Sequence, residues 1–122
     1  MNNQHRINWD RYSHTWKLKT AEEKRAQLEQ CMSERAVYRD PLVEAHTMDE
    51  LVAYMLEFHQ QIPGGHFVVT HYQTHHGRSI AEWEMRNGEN LVLGTGTSFA
   101  EYDEAGKILS ATGFFEVPNE GA

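Results

Sequence analysis

The hydrophobic period of this chain changes once, at Pro63-Gly64-Gly65. Before that break apolar residues return at helical spacing; after it they alternate as in strands. Helices first and strands second is the α+β pattern, with helices packed on one face of an antiparallel sheet. No fixed-period repeat or low-complexity linker interrupts the 122 residues, and that length suits one domain. A single domain over 1–122 is expected, with its core at about 8–117 and loose tails at 1–5 and 119–122.

Three helices are expected before the break. Asn8 is a good N-cap for the first, and Trp9, Tyr12 and Trp16 share one face at i, i+3 and i+7. The second opens on Thr20-Ala21-Glu22-Glu23, a capping box in which threonine and glutamate satisfy each other's amides. Leu28, Cys31 and Met32 form its apolar stripe. Ala36-Val37-Tyr38-Arg39 reads as a short strand that stops at Asp40-Pro41, because proline cannot donate to a ladder. The third helix opens on another capping box, Thr47-Met48-Asp49-Glu50, and carries Leu51, Tyr54, Met55, Phe58 and Ile62 at helical period.

Four strands follow, at about 67–75, 79–86, 91–102 and 107–117. Gly77, Asn87-Gly88 and Asp103-Glu104-Ala105-Gly106 supply the turns between them. Gly94 and Gly96 inside the third strand predict a bulge, a bend or the close approach of another group. Strands this long must curve around the helices.

Composition narrows the function. Eleven basic against eighteen acidic residues leave a net charge of −7, which argues against nucleic acid or an anionic membrane as partner. The longest apolar run is six residues, Leu51 to Leu56, where a transmembrane helix needs about 20. The first six residues lack the apolar segment of a secretory leader. A lone Cys31 fits a reducing, cytoplasmic compartment and reads as a small buried hydrophobe.

Eight histidines raise the question of a metal. Ligands must converge to about 2 Å of one point. Strand alternation places Phe67, Val69, His71, Gln73 and His75 on one face, and His71 and His75 then stand roughly 13 Å apart. There is no His-x-His and no cysteine pair. Neither metal ligands nor a cofactor are expected.

The order of elements, the strand ending in Tyr38-Arg39-Asp40-Pro41, the stretch from Gly96-Thr97-Ser98-Phe99 to Gly106-Lys107-Ile108, and the terminal Gly113-Phe114-Phe115-Glu116 together resemble one family. It is the SnoaL-like branch of the nuclear transport factor 2-like superfamily, which includes ketosteroid isomerases and polyketide cyclases. The resemblance runs from Trp9 to Val117. It implies a cone, in which a curved antiparallel sheet wraps the helices around a deep apolar pocket, and a homodimer through the sheet face. It identifies fold better than reaction, since this fold carries many chemistries.

The same resemblance assigns candidate roles. Asp40 matches the general base of isomerase-like members, a carboxylate beside an apolar cavity that moves a proton next to a carbonyl. Tyr12 stands near a family tyrosine that donates to the developing oxyanion. Ser98 occupies the place of an aspartate in the isomerase pattern; serine donates a hydrogen bond but does not shuttle protons near neutral pH. His71 is the histidine placed to assist Asp40.

The pocket is expected to be lined by Trp9, Trp16, Tyr38, Phe58 and Trp83. Strand parity adds Ala100 and Tyr102 beside Ser98, and Ala111, Gly113 and Phe115 on the last strand. A lining of this kind suits a small hydrophobic ligand.

Two functions follow. One is a cofactor-free isomerase, dehydratase, cyclase or epoxide hydrolase using Asp40, Tyr12 and Ser98. The other is a non-catalytic ligand-binding or dimeric interaction module. An Asp40 that faces a cavity and lacks backbone partners points to the first. An Asp40 that caps a turn, beneath a cone filled by Trp9, Trp16 and Phe115, points away from it.

Overall fold

The structure, a computed structural model, describes residues 3–116. Its elements are α1 (Asn3–Thr15), α2 (Ala21–Cys31), β1 (Met32–Asp40), β2 (Val43–Ala45), α3 (Met48–Gln61), β3 (His66–His75), β4 (Arg78–Arg86), β5 (Val92–Tyr102) and β6 (Ile108–Phe114). The six strands form one sheet in the order β2-β1-β6-β5-β4-β3. Three helices against one curved sheet make the cone-shaped α+β architecture expected from the sequence.

The sheet is mixed, which corrects the antiparallel expectation. β1 runs parallel to β6, with Val37, Tyr38 and Arg39 opposite Ser110, Ala111 and Thr112. The chain between them, which includes α3 and four strands, is long enough for the crossover a parallel pair requires. β2 was not read from the sequence. It forms because Asp40-Pro41-Leu42 reverses the chain and lays Val43–Ala45 back on Tyr38–Asp40.

Helix boundaries follow local chemistry. Thr20 and Glu23 close a complete capping box at α2. At α3 only half a box forms. Thr47 Oγ1 accepts from the Glu50 amide, but the Glu50 carboxylate accepts from the His46 amide at 2.7 Å. α1 starts five residues before Asn8. That residue is inside the helix, and its side-chain amide donates to the Gly106 carbonyl at 2.7 Å in a buried bond. The bond fastens α1 to the turn between β5 and β6.

The core lies between the helices and the inner face of the sheet. Leu28, Cys31, Met55, Ala81, Ala100 and Ile108 are wholly buried there. Each large apolar side chain so buried contributes about 1.5–3 kcal/mol. Lys24 is buried too. Its Nζ donates to the carbonyls of Thr15 and Trp16 at 3.0 and 3.3 Å, capping α1 at the end where the helix dipole favours a cation. Among the described residues no helix is long and apolar enough to cross a membrane.

Two irregularities interrupt the register of the sheet. The β3–β4 register slips between Val69 and His71, so one extra residue flips the side-chain parity of β3 from there on. The β4–β5 register slips between Met85 and Arg86. Gly96 answers the close-approach expectation. A Cβ at that position would meet the Trp83 ring at 2.3 Å and the Phe114 carbonyl oxygen at 2.8 Å. The indole lies directly over the glycine.

Candidate functional site

A cavity of about 750 Å³ opens between α1, α3 and the inner face of the sheet. Its size lies in the range, roughly 300–1,000 Å³, that holds small-molecule ligands. Trp9, Trp16, Tyr38, Phe58, Trp83, Gly113 and Phe115 all border it, together with Tyr12, Asp40 and Ser98. The aromatic rings line this space and leave it open.

Asp40 ends β1, and the turn that follows sets its environment. Oδ1 accepts from the amides of Leu42 and Val43 at 2.8 and 3.1 Å. Oδ2 accepts from the hydroxyls of Tyr38 at 2.5 Å and Tyr54 at 2.9 Å. A carboxylate offers about four acceptor positions, and here all are engaged. Asp40 therefore caps a turn and borders a cavity at once, satisfying one half of each structural criterion set out above. Burial holds the phenols of Tyr38 and Tyr54 well above the ordinary tyrosine range, and their proximity to Asp40 adds to the effect. Both protons stay on the tyrosines and point at the carboxylate.

Ser98 faces Asp40 across Gly113. A Cβ at position 113 would stand 3.6 Å from the Asp40 Cβ and 3.7 Å from the Ser98 Oγ. Glycine there keeps the space between them free. Ser98 Oγ accepts from the Trp83 indole N–H at 3.0 Å, which leaves its own proton to donate.

Several expected site residues lie elsewhere. His71 is exposed and does not border the cavity. The β3 bulge puts Tyr72, not His71, on the inner face after Val69. Ala100, Tyr102 and Ala111 have the expected parity and are buried, but they do not border the cavity. Tyr102 stacks on His5 at 4.2 Å between ring centroids, and its hydroxyl bonds those of Ser79 and Tyr72 at 2.7 and 3.0 Å. Tyr12 borders the cavity between Trp9 and Trp16, with centroids at 4.8 and 6.5 Å. It is not one of the residues that hydrogen-bond Asp40. Tyr54 occupies that role, and sequence reasoning missed it. Its signal was its place with Phe58 on the apolar stripe of α3, where a tyrosine looks like any core aromatic. Among the described residues no three His, Cys, Asp or Glu side chains converge as metal ligands would.

A mixed sheet curved around three helices, with one large cavity at its open end, defines a cystatin-like, nuclear transport factor 2-like domain. Within that class the chain belongs to the SnoaL-like domain family, which matches residues 10–111. A protein from Agrobacterium tumefaciens, named as an isomerase of the SnoaL-like family, superposes with a TM-score of 0.85 at 22% identity, covering 95% of this chain and 100% of its own. A protein from Jannaschia sp. CCS1, named as a SnoaL-like polyketide cyclase, gives 0.75 at 10% identity, covering 93% and 86%. A protein with a ketosteroid isomerase-like fold from Catenulispora acidiphila, in complex with trimethylamine, gives 0.74 at 8% identity, covering 90% and 85%. Identities this low establish the fold alone. No curated protein matches the chain.

Proposed function

We propose that the protein binds a small, mainly apolar, ring-containing molecule in this cavity. The observation that carries the reading is the open volume of about 750 Å³ bordered by aromatic rings, with one carboxylate and one serine hydroxyl facing each other across Gly113. Few polar groups in an apolar enclosure fix orientation, and the rings supply contact area. Trp16 and Trp83 border the space and report on it. Titration of tryptophan emission with a panel of ring ketones, lactones and cyclic amines is expected to give a saturable change with at least one member. Gly113→Ala is expected to fold and bind more weakly, and Gly113→Leu to lose binding, because its side chain enters the gap between Asp40 and Ser98. No saturable change with any member would sink the proposal.

A second reading is favoured by Asp40 bordering the cavity. A carboxylate in that position is the group that a cofactor-free isomerase, dehydratase or cyclase uses to take a proton from carbon. One of its four hydrogen bonds must open before it accepts that proton, and in this reading the Ser98 hydroxyl donates to the developing oxygen charge. Incorporation of solvent deuterium next to the carbonyl of a bound ketone, lost in Asp40→Asn, is the signature of this chemistry. We also propose that two copies pair through the outer face of the sheet.

A further inference from the structure

Every charged side chain that borders the cavity is acidic. Asp40 is joined by Glu50 and Glu57 on α3 and by Glu116 just beyond β6. No lysine, arginine or histidine borders it among the described residues, and residues 117–122 contain none. A few carboxylates at a surface mean little alone. Here they border an open cavity whose wall is a continuous aromatic array. Ring centroids run from Tyr38 to Trp16 at 6.0 Å, to Phe67 at 5.3 Å, to Trp83 at 5.1 Å and to Phe115 at 6.2 Å. Aromatic faces carry the negative end of the ring quadrupole and attract cations.

The donors in the cavity point the same way. The hydroxyl protons of Tyr38 and Tyr54 are committed to Asp40, and the Trp83 N–H to Ser98. The Trp9 N–H is sealed away from solvent. What remains for a ligand is neutral, such as the Ser98 hydroxyl. An anionic ligand would meet negative groups with no positive partner, and burying such a charge unpaired is costly. A neutral carbonyl would find a hydroxyl donor in Ser98 but no cation to polarise it.

We infer that the ligand is a cation: a small apolar amine, protonated or quaternary, whose charged head meets the Asp40 carboxylate and the aromatic wall. The inference rests on the proposal that the cavity binds a small molecule, and it names the class. The apolar body of such a ligand packs against the rings of Trp16, Phe67 and Trp83. The exposed Glu57 and Glu116 add a negative field at the entrance.

The test compares three probes of similar shape at low ionic strength. Benzyltrimethylammonium, its neutral carbon isostere neopentylbenzene, and the anion phenylacetate are titrated against tryptophan emission. The ammonium is expected to bind about tenfold more tightly than the isostere, a difference of about 1.4 kcal/mol, and phenylacetate not to saturate. Glu57→Gln/Glu116→Gln, both at exposed positions, is expected to narrow that preference about threefold and leave the isostere unchanged. Equal or tighter binding of the isostere or of phenylacetate overturns the inference while sustaining the ligand pocket. So does a preference for the ammonium that neither this double substitution nor Asp40→Asn diminishes. Failure of all three probes and of the wider panel removes the pocket and the inference together.

Discussion

Asp40 does two jobs with one side chain. Its Oδ1 closes the turn into β2 through two backbone amides, and its Oδ2 gathers two buried phenols at the wall of the cavity. Removing the carboxylate orphans all four donors. An unsatisfied buried donor costs about 1–3 kcal/mol, and the two amides lie near enough to solvent to recover part of that. Asp40→Ala is therefore expected to lower stability by about 3 kcal/mol in urea unfolding. Asp40→Asn keeps one oxygen for the turn and offers the phenols an amide to which they can reorient, so about 1 kcal/mol is expected. Equal and negligible losses for both would show that the turn holds without its side chain. The sequence marked Asp40 as important because Asp-Pro is both a turn former and part of the family pattern, but Tyr54 could not be paired with it. That contact depends on how α3 leans over β1, and the spacing of apolar residues along α3 carries no such information.

At the scale of elements, the helices and strands were legible because caps and periods are local. The complete capping box at Thr20 and the apolar stripe of α3 formed as their residue types dictate. The misreadings arose where a distant partner decides. β1 joined β6 in parallel, and the β3 bulge turned His71 outward after a run of perfect alternation. The helical layer also carries a pH signature. Burial lowers Lys24 from its ordinary 10.5 to about 8. Between those values the unfolded chain holds a proton that the folded chain has released, so stability rises with pH across that window. Burial raises the Cys31 thiol from 9.0 to about 12. It also lifts the phenols of Tyr12, Tyr38, Tyr54 and Tyr102 above their ordinary 10.0. These groups keep protons that the unfolded chain gives up, so they remove stability above pH 9, and steeply above pH 10. Urea unfolding is expected to show a gain of about 1 kcal/mol from pH 8 to 9, absent in Lys24→Met, followed by a steep alkaline loss in both proteins. A flat profile from pH 8 to 9 in the parent protein would show that Lys24 carries the same charge folded and unfolded.

At the scale of the whole molecule, the two faces of the sheet present different side chains. Rows across β4, β5 and β6 set Ala81, Ser98 and Gly113 on the inner face, and the neighbouring rows Ile80-Phe99-Thr112 and Glu82-Thr97-Phe114 on the outer one. Ile80 and Phe114 are 43% and 61% exposed there. Two large apolar side chains held open on a rigid curved surface favour association with a surface that matches them, and a second copy of the same face provides one. Each copy brings a net charge of −7. Their mutual repulsion opposes pairing at low ionic strength and is screened as salt is added. Sedimentation is therefore expected to report twice the 14.1 kDa chain mass, with the dimer tightening as salt rises. Phe114→Glu and Ile80→Glu place a new charge at the contact and are expected to yield monomers. Because both side chains face away from the cavity, the monomers are expected to keep their ligand titration. A 14.1 kDa species at every protein and salt concentration would rule the pairing out. A monomeric variant that lost ligand binding would instead show that the cavity depends on the partner to hold its shape.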